Sequence, residues 1–242
     1  RAGIKIYKEL IVKTAILSVV AACTLFSLIG CNNRTEVEVL QPTRAAELKP
    51  MQQSWRGILP CADCEGIETS LFLEKDGTWV MNERYQGVRD EPSSFASYGT
   101  WARTADKLVL TDSKGEKSYY RAKGEALEML DREGNPIESQ FNYTLQPVSA
   151  SLPVTPMPMR GMYFYMADAA IFTDCATGKR MPVANNAQLE RDYLAARAEN
   201  GQSVLLTLEA HFTLESNPDT GEKVKTLMAD KDAKFIPGKA CN

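Results

Sequence analysis

The chain has 242 residues, 44% of them hydrophobic and 24% charged, with a formal net charge of −3 and one histidine, His211. A single histidine excludes a multi-histidine zinc or copper centre. With 28 basic residues against 31 acidic ones and no basic run, nucleic acid is excluded as a partner, because that binding rests on Lys and Arg neutralising phosphates.

At the N-terminal end, Lys5, Lys8 and Lys13 precede an uncharged run from Thr14 to Gly30. Basic flank, apolar middle and small residue at the end are the layout of a secretory signal peptide. The run is short for a spanning helix, which needs about 20 apolar residues. Leu28-Ile29-Gly30-Cys31 resembles the lipobox of bacterial lipoproteins, in which the Cys becomes the acylated first residue of the mature chain. One acyl chain holds a protein only marginally, at roughly 0.8 kcal/mol per buried methylene. The resemblance implies three chains on Cys31, enough for near-permanent attachment. It also makes Asn32 an outer-membrane sorting residue, since an Asp at that place retains such proteins in the inner membrane.

Residues 1–30 are therefore read as the signal; 1–10, which contain no Met, read either as an upstream extension or as a sign that the chain is a fragment. Residues 31–50 are polar, with Glu36, Glu38, Glu47 and two prolines, and are read as a lipidated flexible tether. Without 1–30 the basic and acidic counts fall to 24 and 30, a net charge of −6.

Residues 51–146 read as one all-β domain. Ile67, Thr69, Leu71 and Leu73 alternate with Glu68, Ser70, Phe72 and Glu74, the period of a strand. Lys75-Asp76-Gly77 supplies a turn before Thr78–Met81, which makes a hairpin. Further strands are expected at Phe95–Thr104, Lys107–Thr111, Lys117–Arg121, Ala126–Asp131 and Gln140–Leu145. Short strands with turn signals every 8–12 residues describe an antiparallel meander closing into a barrel. Trp55, Trp79 and Trp101 are expected to fill it; their alternative use is as walls of a lipocalin-like pocket.

Residues 147–158 are proline-rich and read as a linker, since repeated proline stiffens a chain and does not continue a sheet. In 159–242, strands are expected at Gly161–Met166, Ala169–Cys175, Lys179–Val183, Val204–Leu214 and Lys223–Leu227. A helix over Ala187–Glu199, capped by Asn185 or Asn186, would present Leu189, Tyr193 and Leu194 on one face. The order β-β-β-α-β-β matches a Greek-key barrel of the OB type.

Once Cys23 leaves with the signal and Cys31 is acylated, Cys61, Cys64, Cys175 and Cys241 remain. Four cysteines allow three pairings, and the spacing favours Cys61–Cys64 and Cys175–Cys241, one per domain. Cys61-Ala62-Asp63-Cys64 admits three readings: a structural or regulatory disulfide loop, a two-thiolate Cu(I) site, or a redox-active pair. Asp63 and Glu65 oppose the thiolate that redox catalysis needs. Met157, Met159, Met162 and Met166 could add soft sulfur ligands, but methionines at this spacing more often pack. His211 sits in an apolar strand and reads as packing. No enzyme motif is present in the sequence.

Leu28–Asn33, Ser54–Thr69 with its Leu59-Pro60-Cys61-Ala62-Asp63-Cys64-Glu65-Gly66, Gly161–Met166 and Phe172–Gly178 closely resemble the NlpE (CutF) family of outer-membrane lipoproteins. The resemblance covers nearly all of the mature chain. It implies a lipocalin-like N-terminal barrel and a C-terminal OB-fold. It further implies activation of the Cpx envelope-stress response through the periplasmic sensor domain of the kinase CpxA, on surface adhesion, failed lipoprotein export or poor disulfide formation. The partners implied are CpxA, the lipoprotein export machinery, the disulfide oxidase DsbA and, through the lipid, the periplasmic face of the outer membrane. Copper homeostasis is implied as well, with no required cofactor beyond the lipid on Cys31. The competing reading is a periplasmic lipoprotein that binds copper, as Cu(I) on Cys61 and Cys64, or another small molecule.

Overall fold

The computed structural model describes residues 52–89 and 93–242. The signal, the tether, and with them Cys31 and Asn32, lie outside the described residues. Among the described residues, no helix is long and apolar enough to cross a membrane.

Eight antiparallel strands make the first barrel: β1 Gln52–Leu59, β2 Gly66–Glu74, β3 Thr78–Gln86, β4 Ser94–Arg103, β5 Leu108–Asp112, β6 Lys117–Lys123, β7 Ala126–Met129 and β8 Thr144–Pro147. Each pairs with its sequence neighbour, and β1 closes on β8, with Trp55 opposite Pro147 and Arg56 opposite Gln146. Alternation along each strand turns one set of side chains inward. That set includes Leu71 and Leu73 of β2, Trp79 and Met81 of β3, Leu108 and Leu110 of β5, and the three tryptophans. The indoles fill the barrel, and each N–H is satisfied by a carbonyl: Trp55 on Glu125 at 2.9 Å, Trp79 on Thr100 at 3.0 Å, Trp101 on Glu74 at 3.0 Å. Gly99 is required here, since a Cβ on it would stand 1.8 Å from the Thr111 carbonyl oxygen.

Turn chemistry supports the meander. Asp112 Oδ1 accepts the N–H groups of Lys114 and Glu116, and Asp131 Oδ1 those of Glu133 and Asn135. Two differences from the sequence pattern stand out. The pattern contains no β1, because its residues lack a clean apolar alternation; the strand exists because it pairs on both sides. The closing strand is Thr144–Pro147 rather than Gln140–Leu145, and Phe141 is exposed.

The second barrel comprises β9 Met157–Met166, β10 Ala169–Asp174, β11 Arg180–Ala184, helix α1 Ala187–Ala196, β12 Val204–Ser216 and β13 Lys223–Ile236. The strand order β10-β11-β13-β12-β9 closes on itself, with β11 and β13 parallel. Five strands with a helix between the third and fourth are the OB arrangement. The fold is thus all-β, an eight-stranded lipocalin-like barrel followed by an OB-type barrel with one helix.

Here too local signals were incomplete. α1 stops at Ala196, earlier than Glu199, and Leu194 is exposed while Leu189 and Tyr193 are buried. Asn186 is the cap residue but makes no side-chain cap bond; Asn185, at φ +54°, donates instead to the Ala229 carbonyl at 3.0 Å. β13 runs nine residues past Leu227, because its exposed second half pairs with β12 without any apolar alternation. Proline does not end the sheets where expected: Pro147 pairs in β8 and Pro158 in β9. Pro158 lies in the part of β9 whose only strand neighbour is β12, so a missing N–H on the open side costs no ladder bond.

Candidate functional site

The first cysteine pair lies in the connection between β1 and β2. Cys61 and Cys64 are joined in a disulfide with their Cα atoms 5.3 Å apart. Glu65 N–H donates to the Gln86 carbonyl at 3.0 Å, tying the loop to the end of β3. The segment that follows is a strand and not a helix, so no helix N-terminus is present to stabilise a thiolate. In the disulfide the two sulfurs are not thiolate donors, so this oxidised loop does not fit Cu(I). No group of three or more His, Cys, Asp and Glu that could hold a metal occurs among the described residues.

The methionines do not converge either. Met157 and Met159 point into the second core, whereas Met162 is half-buried and Met166 exposed on the opposite face of β9. His211 does more than pack: its Nδ1 lies 2.8 Å from Asp230 Oδ2 on the neighbouring strand.

The second pair sits at the junction of the two barrels, which belong to one compact unit. Cys175, just past β10, is bonded to Cys241 near the end of the chain, 66 residues away. Both cysteines line an open cleft of about 600 Å³ whose walls include Tyr98 and Ser113 of the first barrel and Arg160, Glu209 and Asp232 of the second.

That junction is built from the outer face of the first barrel. Inward alternation leaves Phe72, Val80 and Tyr98 facing out, in register across β2, β3 and β4. All three are buried, and they join the apolar cluster of the second barrel. Full burial of such side chains is worth about 1.5–3 kcal/mol each. The Tyr98 ring meets Phe212 edge-on at 5.4 Å. Its hydroxyl donates to Asp174 Oδ1 at 2.9 Å, and burial first, then the Asp174 charge and that bond, push the phenol far above its usual range. Asp174 is itself buried; its other oxygen accepts the N–H and hydroxyl of Thr177.

A second contact clasps the β2–β3 turn. Lys225 of β13 donates to Glu74 Oε2 at 2.6 Å and Thr78 Oγ1 at 2.8 Å, stands 3.5 Å from Asp76 Oδ2, and lies over the Phe212 ring at 4.2 Å. These groups are mostly buried, so the pair is poorly screened. The connecting segment also takes part: Val148 N–H donates to the Ser54 carbonyl, and Thr155 Oγ1 to Asn82 Oδ1 at 2.8 Å. Sequence reasoning missed the junction altogether. The available signal was Phe72, an aromatic residue on the face of β2 otherwise occupied by Glu68, Ser70 and Glu74.

Comparison with known proteins places these features in context. Residues 55–140 match the family model of the NlpE N-terminal domain, and 153–242 that of the NlpE C-terminal OB domain. The chain is 74% identical over 231 residues to lipoprotein NlpE of Escherichia coli K12, covering 96% of this chain and 98% of the relative. It is 35% identical over 78 residues to a 17 kDa lipoprotein of Treponema pallidum, covering 32% of this chain and 50% of the relative. A crystal structure of the Cpx pathway activator NlpE from E. coli is 76% identical, covers 80% of this chain and 98% of its own, and has a TM-score of 0.39.

Proposed function

The chain belongs to the NlpE family, and on that premise we propose that it is an outer-membrane lipoprotein that activates the Cpx envelope-stress response. It is a membrane-associated lipoprotein and not an enzyme. The observation that carries the reading is the 74% identity, over 96% of the chain, to the E. coli lipoprotein of that name.

In this reading Cys31 carries the lipid and Asn32 directs the protein, through the lipoprotein export machinery, to the periplasmic face of the outer membrane. The partner is the periplasmic sensor domain of CpxA. A body held at the outer membrane by a short tether cannot easily reach an inner-membrane kinase. When export fails, the same acyl chains leave it beside CpxA, and signalling follows from location alone. A redox arm works through Cys175–Cys241, oxidised by DsbA. When that pair is reduced, the second barrel loses its clasp and the first barrel is released from the junction. Contact with a surface acts on the same two-barrel body. Copper enters this reading only through Cys61 and Cys64 in their reduced state. Stoichiometric Cu(I) binding lost on replacing both by Ser would favour the carrier role instead.

The test is Cpx reporter output in cells expressing the full chain. Asn32→Asp raises output by retaining the protein at the inner membrane, and Cys241→Ala raises it through the redox arm. Unchanged output with Asn32→Asp removes the location mechanism, and with Cys241→Ala the redox arm.

A further inference from the structure

We propose that Arg160 is a positioning residue for the second disulfide, holding Cys241 in register with Cys175 so that the bond closes on a pre-aligned pair. One residue contacts the backbone of both cysteines. The Arg160 carbonyl on β9 accepts the Cys175 N–H at 2.9 Å, one step beyond the paired residues Gly161 and Asp174. From the same residue the guanidinium reaches the tail, Nη1 donating to the Cys241 carbonyl at 2.8 Å and Nη2 to the Ala240 carbonyl at 2.9 Å. A planar fork of donors suits two neighbouring carbonyls, which an ammonium would meet as a single point.

The tail needs such a hold. β13 ends at Ile236, and Gly238, at φ +73°, turns the chain back. Among the described residues, no backbone–backbone hydrogen bond outside the strands involves 237–242. Past the turn at 237–238, the disulfide and the Arg160 fork tie the tail to the barrel. Both cysteines line the cleft between the barrels and are only partly buried, which gives a small oxidant a way in.

Closing the bond removes two electrons and two protons from the two thiols. With a small disulfide oxidant such as oxidised glutathione, one cysteine thiolate attacks the oxidant, forms a mixed disulfide and expels a glutathione thiolate. The other cysteine thiolate then attacks the protein sulfur of that mixed disulfide and expels the second glutathione, and the released thiolates take up the two protons. The first step is bimolecular and needs only access. The second is intramolecular and depends on how often the tail holds Cys241 beside Cys175, which is where Arg160 acts.

The inference deepens the redox arm above, but its readout is chemical, so failure of signalling and failure of the clamp are separable. The intact protein in detergent is equilibrated in glutathione buffers, trapped by alkylation and mapped by peptide, with Cys61–Cys64 as internal reference. Arg160→Ala lowers the equilibrium constant for Cys175–Cys241 about tenfold, the effect expected of losing charged hydrogen bonds at an exposed site. It slows the second step to a similar degree and leaves the first step and the reference pair unchanged. Arg160→Lys, which keeps length and charge and is expected to fold, falls between the two. An unchanged constant in the Lys and Ala variants overturns the proposal. So does equal slowing of both steps, or an equal loss at Cys61–Cys64, since either would mean a general structural role.

Discussion

The hydroxyl of Tyr98 on the first barrel donates to Asp174 on the second at 2.9 Å, and Asp174 immediately precedes Cys175 of the C-terminal disulfide. The residue that anchors the first barrel and the residue that anchors the chain end are therefore neighbours on one backbone. Closing the 66-residue separation is worth about 4 kcal/mol on the chain-entropy account. A change of redox state at Cys175 thus acts one residue from a buried hydrogen bond that crosses the junction.

Replacing Tyr98 by Phe keeps the ring against Phe212 but removes the donor, leaving Asp174 Oδ1 buried without it. The expected loss is about 1–3 kcal/mol, the cost of an unsatisfied buried acceptor. Urea denaturation of the full chain measures it. A loss near zero would mean that water replaces the hydroxyl and that the bond does not hold the junction.

Lys225→Met removes the cation that Glu74 and Asp76 share across the junction. Breaking a buried pair from one side costs about 3–5 kcal/mol, and the strain falls between the barrels rather than within either. Small-angle scattering should show a larger radius of gyration with both barrels still folded. Adding Glu74→Gln should restore compactness in part, because the unpaired carboxylate is then gone. Identical scattering for Lys225→Met and the parent would count against the clasp.

The two carboxyls of β3 and its turn respond to pH in opposite senses. Burial, the largest influence on Asp76, raises its pKa, but Lys225, the hydroxyl and N–H of Thr78, and Lys179 together bring it below the ordinary 3.8. A depressed pKa contributes stability that is present above the unfolded value and lost as pH falls through the folded one. Asp76→Asn should therefore destabilise at neutral pH, with the difference from the parent starting to shrink near 3.8 and disappearing only once the pH has fallen through the lower folded value. Burial alone raises the Glu83 carboxyl above 4.5. Its contribution is full below 4.5 and is lost as pH rises through the folded value. Glu83→Gln should therefore stabilise at neutral pH and make no difference in acid. Denaturation midpoints at the two pH values decide both.

Gly161→Ala tests the packing of the second barrel. A Cβ there would lie 2.3 Å from the Phe172 ring and 2.5 Å from the Thr173 carbonyl oxygen. The ring can turn but the carbonyl cannot, so a loss of about 1–3 kcal/mol is expected. Hydrogen exchange should report it in β9 and β10 and leave the first barrel's amides unchanged.

Much of the fold was legible because its signals are local. The alternation of Ile67–Glu74, the glycine-bearing turns and the β-β-β-α-β-β order each depend on residues close in sequence, and the strands of both barrels follow them. β1 and the second half of β13 were not legible, because what makes them strands is pairing, with β2 and β8 for the one and with β12 for the other, and that pairing leaves no apolar period in their own residues.

The sequence by itself determined the two barrels, the cysteine inventory and the likeness to a lipoprotein family, since patterning and motifs are properties of short stretches. Tertiary structure alone decided that Phe72, Val80 and Tyr98 are not a solvent face, that Lys225 meets Glu74 151 residues away, and that Arg160 contacts the backbone of both Cys175 and Cys241. Each is a contact between segments that no periodicity relates. Period-two alternation says which side chains share a face, but only the packing of one barrel on the other says whether that face meets water.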